Sequence, residues 1–401
     1  MKKTINKFRV VWARLFGQRP DVCVDLAEWL ESAESAVFLG ALGAGGEVIR
    51  NLPDGAENIP RFSEERSFKT HRRVVAKVKG ATLFGAEGMI MLADGRYLLQ
   101  TVWYPAQLTL HPQYYRRSSH RAKKIKGVYH PLIRYWSRSY YHWMTETLPT
   151  LHGMEPFFPP ETRHIIPGPA SKFQLESLEL LGIDASRFVE IPVEESWKVE
   201  ELVISPPATT SFARNEDPFA RISRYSFRDQ APFMGPFNHS PDGLRWIAKR
   251  LTAGAFANCE AEPAPPRRIY ITRRRANSRR LNEAELAAVL ERHGIVTCEL
   301  EAMPLAAQVR LFHQAELVVA PHGAGLSNLM FCKPGTRVIE IFEPSVIRLC
   351  YWSISDLFRL DYHFLVGGTV ASGGPEPDIN VEPAKLACLL ESLCPVQQTI
   401  G

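Results

Sequence analysis

No apolar run in the 401 residues approaches the roughly 20 needed to span a bilayer, so no membrane-crossing helix is expected. There is no C-x-x-C pair. The seven cysteines (Cys23, Cys259, Cys298, Cys332, Cys350, Cys388 and Cys394) are odd in number and scattered. That pattern excludes a disulfide framework and a cysteine zinc site, and it suits reduced thiols in a cytoplasmic protein. D-x-D, H-x-x-x-H and H-E-x-x-H are all missing, so no metal site is signalled and neither a metal nor another cofactor is expected. Without G-x-S-x-G or a Walker A loop, hydrolase and ATPase readings lack support. Charge of one sign is also scarce: Lys+Arg 48 against Asp+Glu 43 leaves only +5. Overall charge therefore gives no reason to expect a nucleic-acid partner.

What is present is ordinary globular composition, 45% hydrophobic and 23% charged, at a length that suggests two or three domains. The start, MKKTINKFRVVWARLF, is interrupted at Arg9 and Arg14 and has no small-residue cleavage site, which makes it a poor signal peptide. It reads as a docked terminal helix, with a short basic helix resting on a membrane surface as the alternative. Residues 36 to about 126 look β-rich. AKVKGATLFG and GMIMLADGRYLLQT read as strands, and the glycines of FLGALGAGGEVIRN as a β-turn rather than a phosphate loop.

From about residue 128, strands and helices alternate. YHPLI, RHIIPG, FVEIP and VEELVIS read as strands, SYYHWMTETLPTLHGM and SKFQLESLELLG as helices. Residues 206–243 and CEAEPAPPR read as connecting segments. Then RRIYITR, VTCELE, ELVVAP, TRVIEIF and DYHFLV read as strands separated by helices, with EPAKLACLLESL as a last amphipathic helix. Such alternation implies parallel βαβ units. The fold class is α/β: two α/β halves joined by a Pro-rich linker, preceded by a β-rich portion.

Three segments carry chemistry. The strand ELVVAP runs into His322, Gly323, Ala324, Gly325 and Asn328. Glycines let a ligand approach the backbone, and the next helix offers free N–H groups and a positive dipole end to phosphate. Glu340, on the following strand, could accept from ribose hydroxyls. Second, seven arginines crowd residues 267–280, and without them the chain would carry −2. Arg273 and Arg274 fall at the same carboxyl edge as His322, where their forks could hold a diphosphate. The rest read as solvated, and aromatic residues are too sparse within the run for a nucleic-acid surface. Third, His142 and Glu146 are four apart, so on a helix an imidazole and a carboxylate would share a face as base and orienter. Tyr141 and Trp143 beside them could wall a sugar or acceptor.

SYYHWMTETLPTL, IYITRRRANSRRLNEAEL, AELVVAPHGAGLSNLMFCKPG and RVIEIF, in this order, resemble the glycosyltransferase 61 family. Its members include plant cell-wall xylosyl- and arabinosyltransferases, animal O-linked N-acetylglucosaminyltransferases and bacterial capsule or lipopolysaccharide enzymes. The resemblance covers about residues 128–345. It implies a GT-B fold, two Rossmann-like domains facing across a cleft. The β-rich portion (1–126) would then pack on an acceptor-side domain (127–240). A nucleotide-sugar-binding domain (241–380) and a C-terminal helix and tail (381–401) would follow. It also implies an inverting, metal-independent transfer from a nucleotide-sugar, a UDP-sugar foremost, to a glycan or lipid-linked oligosaccharide. Arg273, Arg274 and the HGAG turn would hold the diphosphate, Glu340 the ribose, and Glu146 or His142 would be the base. The setting implied is surface polysaccharide synthesis in the cytoplasm, with peripheral contact at the inner face of the membrane. Two alternatives stay open: another polysaccharide-modifying transferase such as a pyruvyl transferase, and a non-catalytic nucleotide-sugar-binding protein.

Overall fold

The computed structural model describes residues 23–85, 87–101, 122–206, 238–257 and 264–394. The basic start and most of the 206–243 connection lie outside them. The protein is mixed α/β and forms two compact units. One comprises residues 1–48, 68–174 and 183–243, the other 49–67, 175–182 and 244–401.

The first unit is built on a ten-stranded mixed sheet. Its central strand, Ser196–Ile204, pairs antiparallel with Arg73–Lys79 and Thr82–Phe84 and parallel with Lys123–Pro131. Parallel pairing continues to Arg163–Gly168 and then Phe188–Pro192. The boundary expected at 126/127 thus lies inside a strand, and the sheet runs through it. Trp197 and Val199 are buried where Lys198 and Glu200 are exposed, the period of two of a strand with one wet face. Leu202, Val203 and Ile204 are all buried, because here both faces are covered. Leu202 joins a core with Val78, Ile165 and Trp29, and Val203 packs on the other face with Val75 and Met154. A bulge between Val199 and Glu201 is relieved opposite by Gly127, whose φ of 107° suits glycine.

The second unit contains the expected parallel sheet, in the order Val296–Cys298, Arg268–Ile271, Leu317–Pro321, Arg337–Phe342, Asp361–Val366. By chain order this is 2-1-3-4-5, a doubly wound arrangement. Leu286, Val289 and Leu290 of the helix Glu283–Arg292, with Leu386 and Leu390 of Pro383–Leu393, pack onto Tyr270, Leu317, Val319, Ile339 and Ile341. The alternate strand residues Ile269, Val318 and Val338 are equally buried, so both faces are covered. The order reverses between the first and third strands. Their carboxyl ends release Thr272–Arg273 and His322–Gly323 side by side, where sheets of this kind bind ligands.

The stretch 49–67, grouped by its sequence with the N-terminal portion, belongs to the second unit. Phe62 is fully buried, 5.0 Å from the Trp352 ring edge-to-face and 5.2 Å from Phe364. The Asn51 amide nitrogen and Nδ2 donate to Asp356 Oδ1 at 2.9 and 2.8 Å. Among the described residues no helix is long and apolar enough to cross a membrane. Phe62→Ala should cost about 3–5 kcal/mol through the cavity it leaves. The measurement is the urea midpoint of the second unit, followed by the fluorescence of Trp352.

Candidate functional site

In the first unit, the strand Lys123–Pro131 ends in a loop over residues 132–139 that is tightly fixed. A side chain at Gly88 would strike the Ile133 carbonyl, so only glycine allows this approach. Gln174 Nε2 donates to the Ser137 carbonyl at 2.9 Å, and Ser137 N donates to the Arg134 carbonyl at 3.0 Å. Beyond the loop, the helix expected over SYYHWMTETLPTLHGM is divided. An α-turn Tyr140–His142 passes into a π-helical turn Trp143–Thr147 and then a 3-10 turn Leu148–Leu151. Pro149 has no N–H to continue a ladder. The Thr145 and Thr147 hydroxyls donate to the carbonyls of Tyr141 (2.8 Å) and His142 (3.1 Å) and hold the widened turn. Such turns concentrate at functional sites.

The altered period still brings His142 Nδ1 to 3.0 Å from Glu146 Oε2. Burial pushes the Glu146 carboxyl up. The charge and hydrogen bond of His142, with Arg134 and His239 behind, outweigh this and hold it below the ordinary carboxylate range. Tyr141 is almost buried, and its hydroxyl lies 2.8 Å from His239 Nε2. Trp143, expected as a sugar wall, is fully buried and serves the core. Sequence reasoning passed over Trp136, whose ring lies 4.9 Å from that of His142.

In the second unit, parallel pairing sets Ala320 against Glu340. This carries His322 Nδ1 to 2.5 Å from Glu340 Oε1, while the Tyr362 hydroxyl donates to Glu340 Oε2 at 2.6 Å. Glu340 is fully buried with both oxygens engaged, so the ribose contact expected of it gives way to orienting His322. Burial raises its carboxyl to about 8, against the hydrogen bond of Tyr362 and the charge of Arg279. Burial also pushes the His322 imidazole far down, and Arg279, Arg348 and Arg273 add to the shift. The ring is clamped between Phe342 at 5.7 Å and Tyr351 at 5.0 Å.

The Arg273 guanidinium lies directly on Gly323, where any Cβ would collide with it. Its Nε is buried with no hydrogen-bond partner among the described residues. Gly325 instead admits Leu300, whose Cδ1 would stand 2.8 Å from a Cβ there, so this glycine serves packing. Ala324–Phe331 forms a 3-10 helix rather than the expected α-helix, and Ala324 and Gly325 stay partly exposed at its start. Asn328, expected at the diphosphate, is fully buried and its Nδ2 donates to Gln308 Oε1 at 2.9 Å. It braces the turn from behind.

The other arginines of 267–280 are mostly paired rather than simply solvated. Arg280 grips Asp378 through two nitrogens, Arg275 pairs with Glu299, and Arg267 with Glu316. Arg274, also expected at the diphosphate, is exposed and turned to Thr272 and Glu283. Its place beside His322 goes to Arg279 and Arg348, which meet on Glu376 at 2.9 and 2.6 Å. Arg348 had no sequence signal, because it stands alone in SVIRLCYW. Among the described residues no group of three or more His, Cys, Asp or Glu could hold a metal ion.

Residues 140–339 match the model of the family described as Glycosyltransferase 61. The match starts at the His142 turn and ends one residue before Glu340. No curated protein matches the chain.

Glu340 supplies a test of the buried pair. Its folded pKa, about 8, lies above the ordinary 4.5. The stability gained by keeping its proton is therefore complete below about pH 4.5 and is lost as pH rises through about 8. Across that window wild type should lose stability relative to Glu340→Gln, which cannot ionise. Urea midpoints of both proteins across that range measure the difference.

Proposed function

The chain belongs to glycosyltransferase family 61 and is a glycosyltransferase, and we propose that it transfers a sugar with inversion, without a metal, from a nucleotide-sugar to a hydroxyl of a glycan or glycolipid. A UDP-sugar is the donor this reading favours, and synthesis of a surface polysaccharide the setting. The observation that carries it is the Arg273 guanidinium lying on Gly323, with Arg279 and Arg348 acting on His322, at the point where the strand order reverses. Three arginines, two of them sharing Glu376, leave a net positive charge beside a neutral imidazole, which suits a diphosphate.

The reaction is one in-line displacement. The acceptor oxygen forms its bond to the anomeric carbon, the bond to the diphosphate oxygen breaks, and its electron pair leaves with the nucleotide. His142 takes the acceptor's proton. Glu146, kept ionised, fixes the ring through Nδ1 and stabilises the imidazolium that results. Arg273, Arg279 and Arg348 meet the charge that grows on the diphosphate. His322, its Nδ1 tied to Glu340, has Nε2 left for a phosphate oxygen. A GT-B arrangement, with the acceptor-side base carried by the first unit and the donor's anion site by the second, is part of the same proposal. A lipid-linked acceptor and a membrane contact of the basic start belong to the same proposal.

Calorimetry with UDP, GDP and CMP tests the donor site. UDP should bind, and no binding by any of the three to folded protein would overturn the reading. Gly323→Ala should fold normally, since only the flexible end of Arg273 must move. It should weaken UDP by about tenfold or more, the worth of one charge-assisted hydrogen bond. His142→Ala and Glu146→Ala should each lower turnover by about 10²–10⁴. Near-normal turnover in both would remove the base assignment.

A further inference from the structure

Trp136 sits in a conformation that a tryptophan does not adopt without cause. Its φ is 58°, in the left-handed region where a bulky side chain is strained. Two other described non-glycine residues share this region. Arg359 follows the helix Cys350–Leu357, where its amide donates to Asp356 O and that of Leu360 to Ser355 O, an ordinary helix end. Arg279 belongs to the cationic cluster around His322. Trp136 ends no helix.

The strained position is held rigidly. Ser139 N donates to the Trp136 carbonyl at 2.7 Å, Arg134 N to Ser137 Oγ at 3.3 Å, and Gln174 Nε2 to Ser137 O at 2.9 Å. The outcome of this bracing is a ring that stays partly exposed. Trp136 is 39% exposed, the one tryptophan among the described residues that counts as exposed rather than buried or half-buried. Burial would have gained apolar area, so the fold gives up both that gain and a relaxed backbone to keep the indole where it is. It stands 4.6 Å from the Tyr135 ring and 4.9 Å from His142. An indole face is apolar and electron-rich, and the face of a pyranose that gathers axial C–H groups is apolar and weakly positive, so the two stack.

We propose that Trp136 is the platform of an acceptor-sugar subsite, on which a pyranose ring stacks by its C–H face with a hydroxyl presented to His142. This rests on His142 acting as the base. An inverting base stands on the acceptor's side of the anomeric carbon, opposite the leaving diphosphate, and this places the acceptor ring on the indole. The subsite selects β-configured hexosides of the galacto or gluco series, whose axial C–H groups lie together on one face.

The test reads binding rather than turnover, so that its failure is separate from failure of the base assignment. Protein containing 5-fluorotryptophan gives one fluorine resonance per tryptophan, and Trp136→Phe identifies that of Trp136. Methyl β-D-galactopyranoside and methyl β-D-glucopyranoside are titrated to about 100 mM, with glycerol as a polyol lacking a ring face. The expected result is a saturable shift of the Trp136 resonance with at least one pyranoside and none with glycerol. Trp136→Ala should weaken that pyranoside at least tenfold, while Trp136→Phe keeps most of the affinity. A Trp136 resonance that stays still with both pyranosides, or moves equally with glycerol, overturns the proposal. So does unchanged affinity in folded Trp136→Ala.

Discussion

The register between two neighbouring parallel strands governs the chemistry of the second unit. Leu317–Pro321 and Arg337–Phe342 pair so that Ala320 faces Glu340, and His322 leaves its strand directly over a buried carboxyl. A slip of one residue would turn Glu340 to the opposite face of the sheet and remove the partner of His322. It would also separate Glu340 from Tyr362, which reaches it from the next strand. The arrangement at the carboxyl end of these strands follows from that alignment, with the imidazole of His322 buried against a carboxyl and its proton affinity lowered. Burial supplies the rigidity. A carboxyl with no exposed surface and both oxygens bonded has no alternative arrangement nearby.

The two clusters use ionisable groups in opposite ways. In the first unit Glu146 is held charged, which makes it an orienter able to stabilise a neighbouring positive charge. In the second, Glu340 is pushed toward its neutral form and His322 is kept uncharged, so the positive charge resides on arginines. Carboxylate–imidazole pairs that look alike in a sequence are thus driven apart by their surroundings, which is how acid and base roles are separated.

Much of the second unit was legible in the sequence. LVVAP is a continuous apolar run and VIEIF one broken only by Glu340, of the length that a strand buried on both faces requires, and the helix Glu283–Arg292 is amphipathic. The HGAG turn was legible too, since glycine beside an arginine-rich strand end has few uses. The roles within it were not. Whether Gly325 faces a ligand or Leu300 depends on a residue 25 positions away, and Arg274 differs from Arg279 only in which distant acid it meets. In the first unit His142 and Glu146 were visible by spacing, but the orientation of the aromatics was not. Trp143 and Tyr141 are both buried, which depends on tertiary partners that spacing alone does not name. Trp136 lay in a loop with no periodicity to read, and only its backbone angle singles it out.

The return of residues 49–67 to the second unit has a consequence for synthesis of the chain. The path changes unit at 48/49, 67/68, 174/175, 182/183 and 243/244, so neither unit is complete until its late segments exist. Phe62 is made early, and its ring partners Trp352 and Phe364 come about 290 residues later. At roughly 5–20 residues per second of translation, that interval is about 15–60 s. During it, an aromatic residue destined for full burial has no native core to enter. The first unit's sheet needs nothing beyond Ile204 and can close while the second is still being translated. The nascent chain therefore spends about half of that interval with the first unit's sheet able to form and Phe62 still waiting for the rings that bury it.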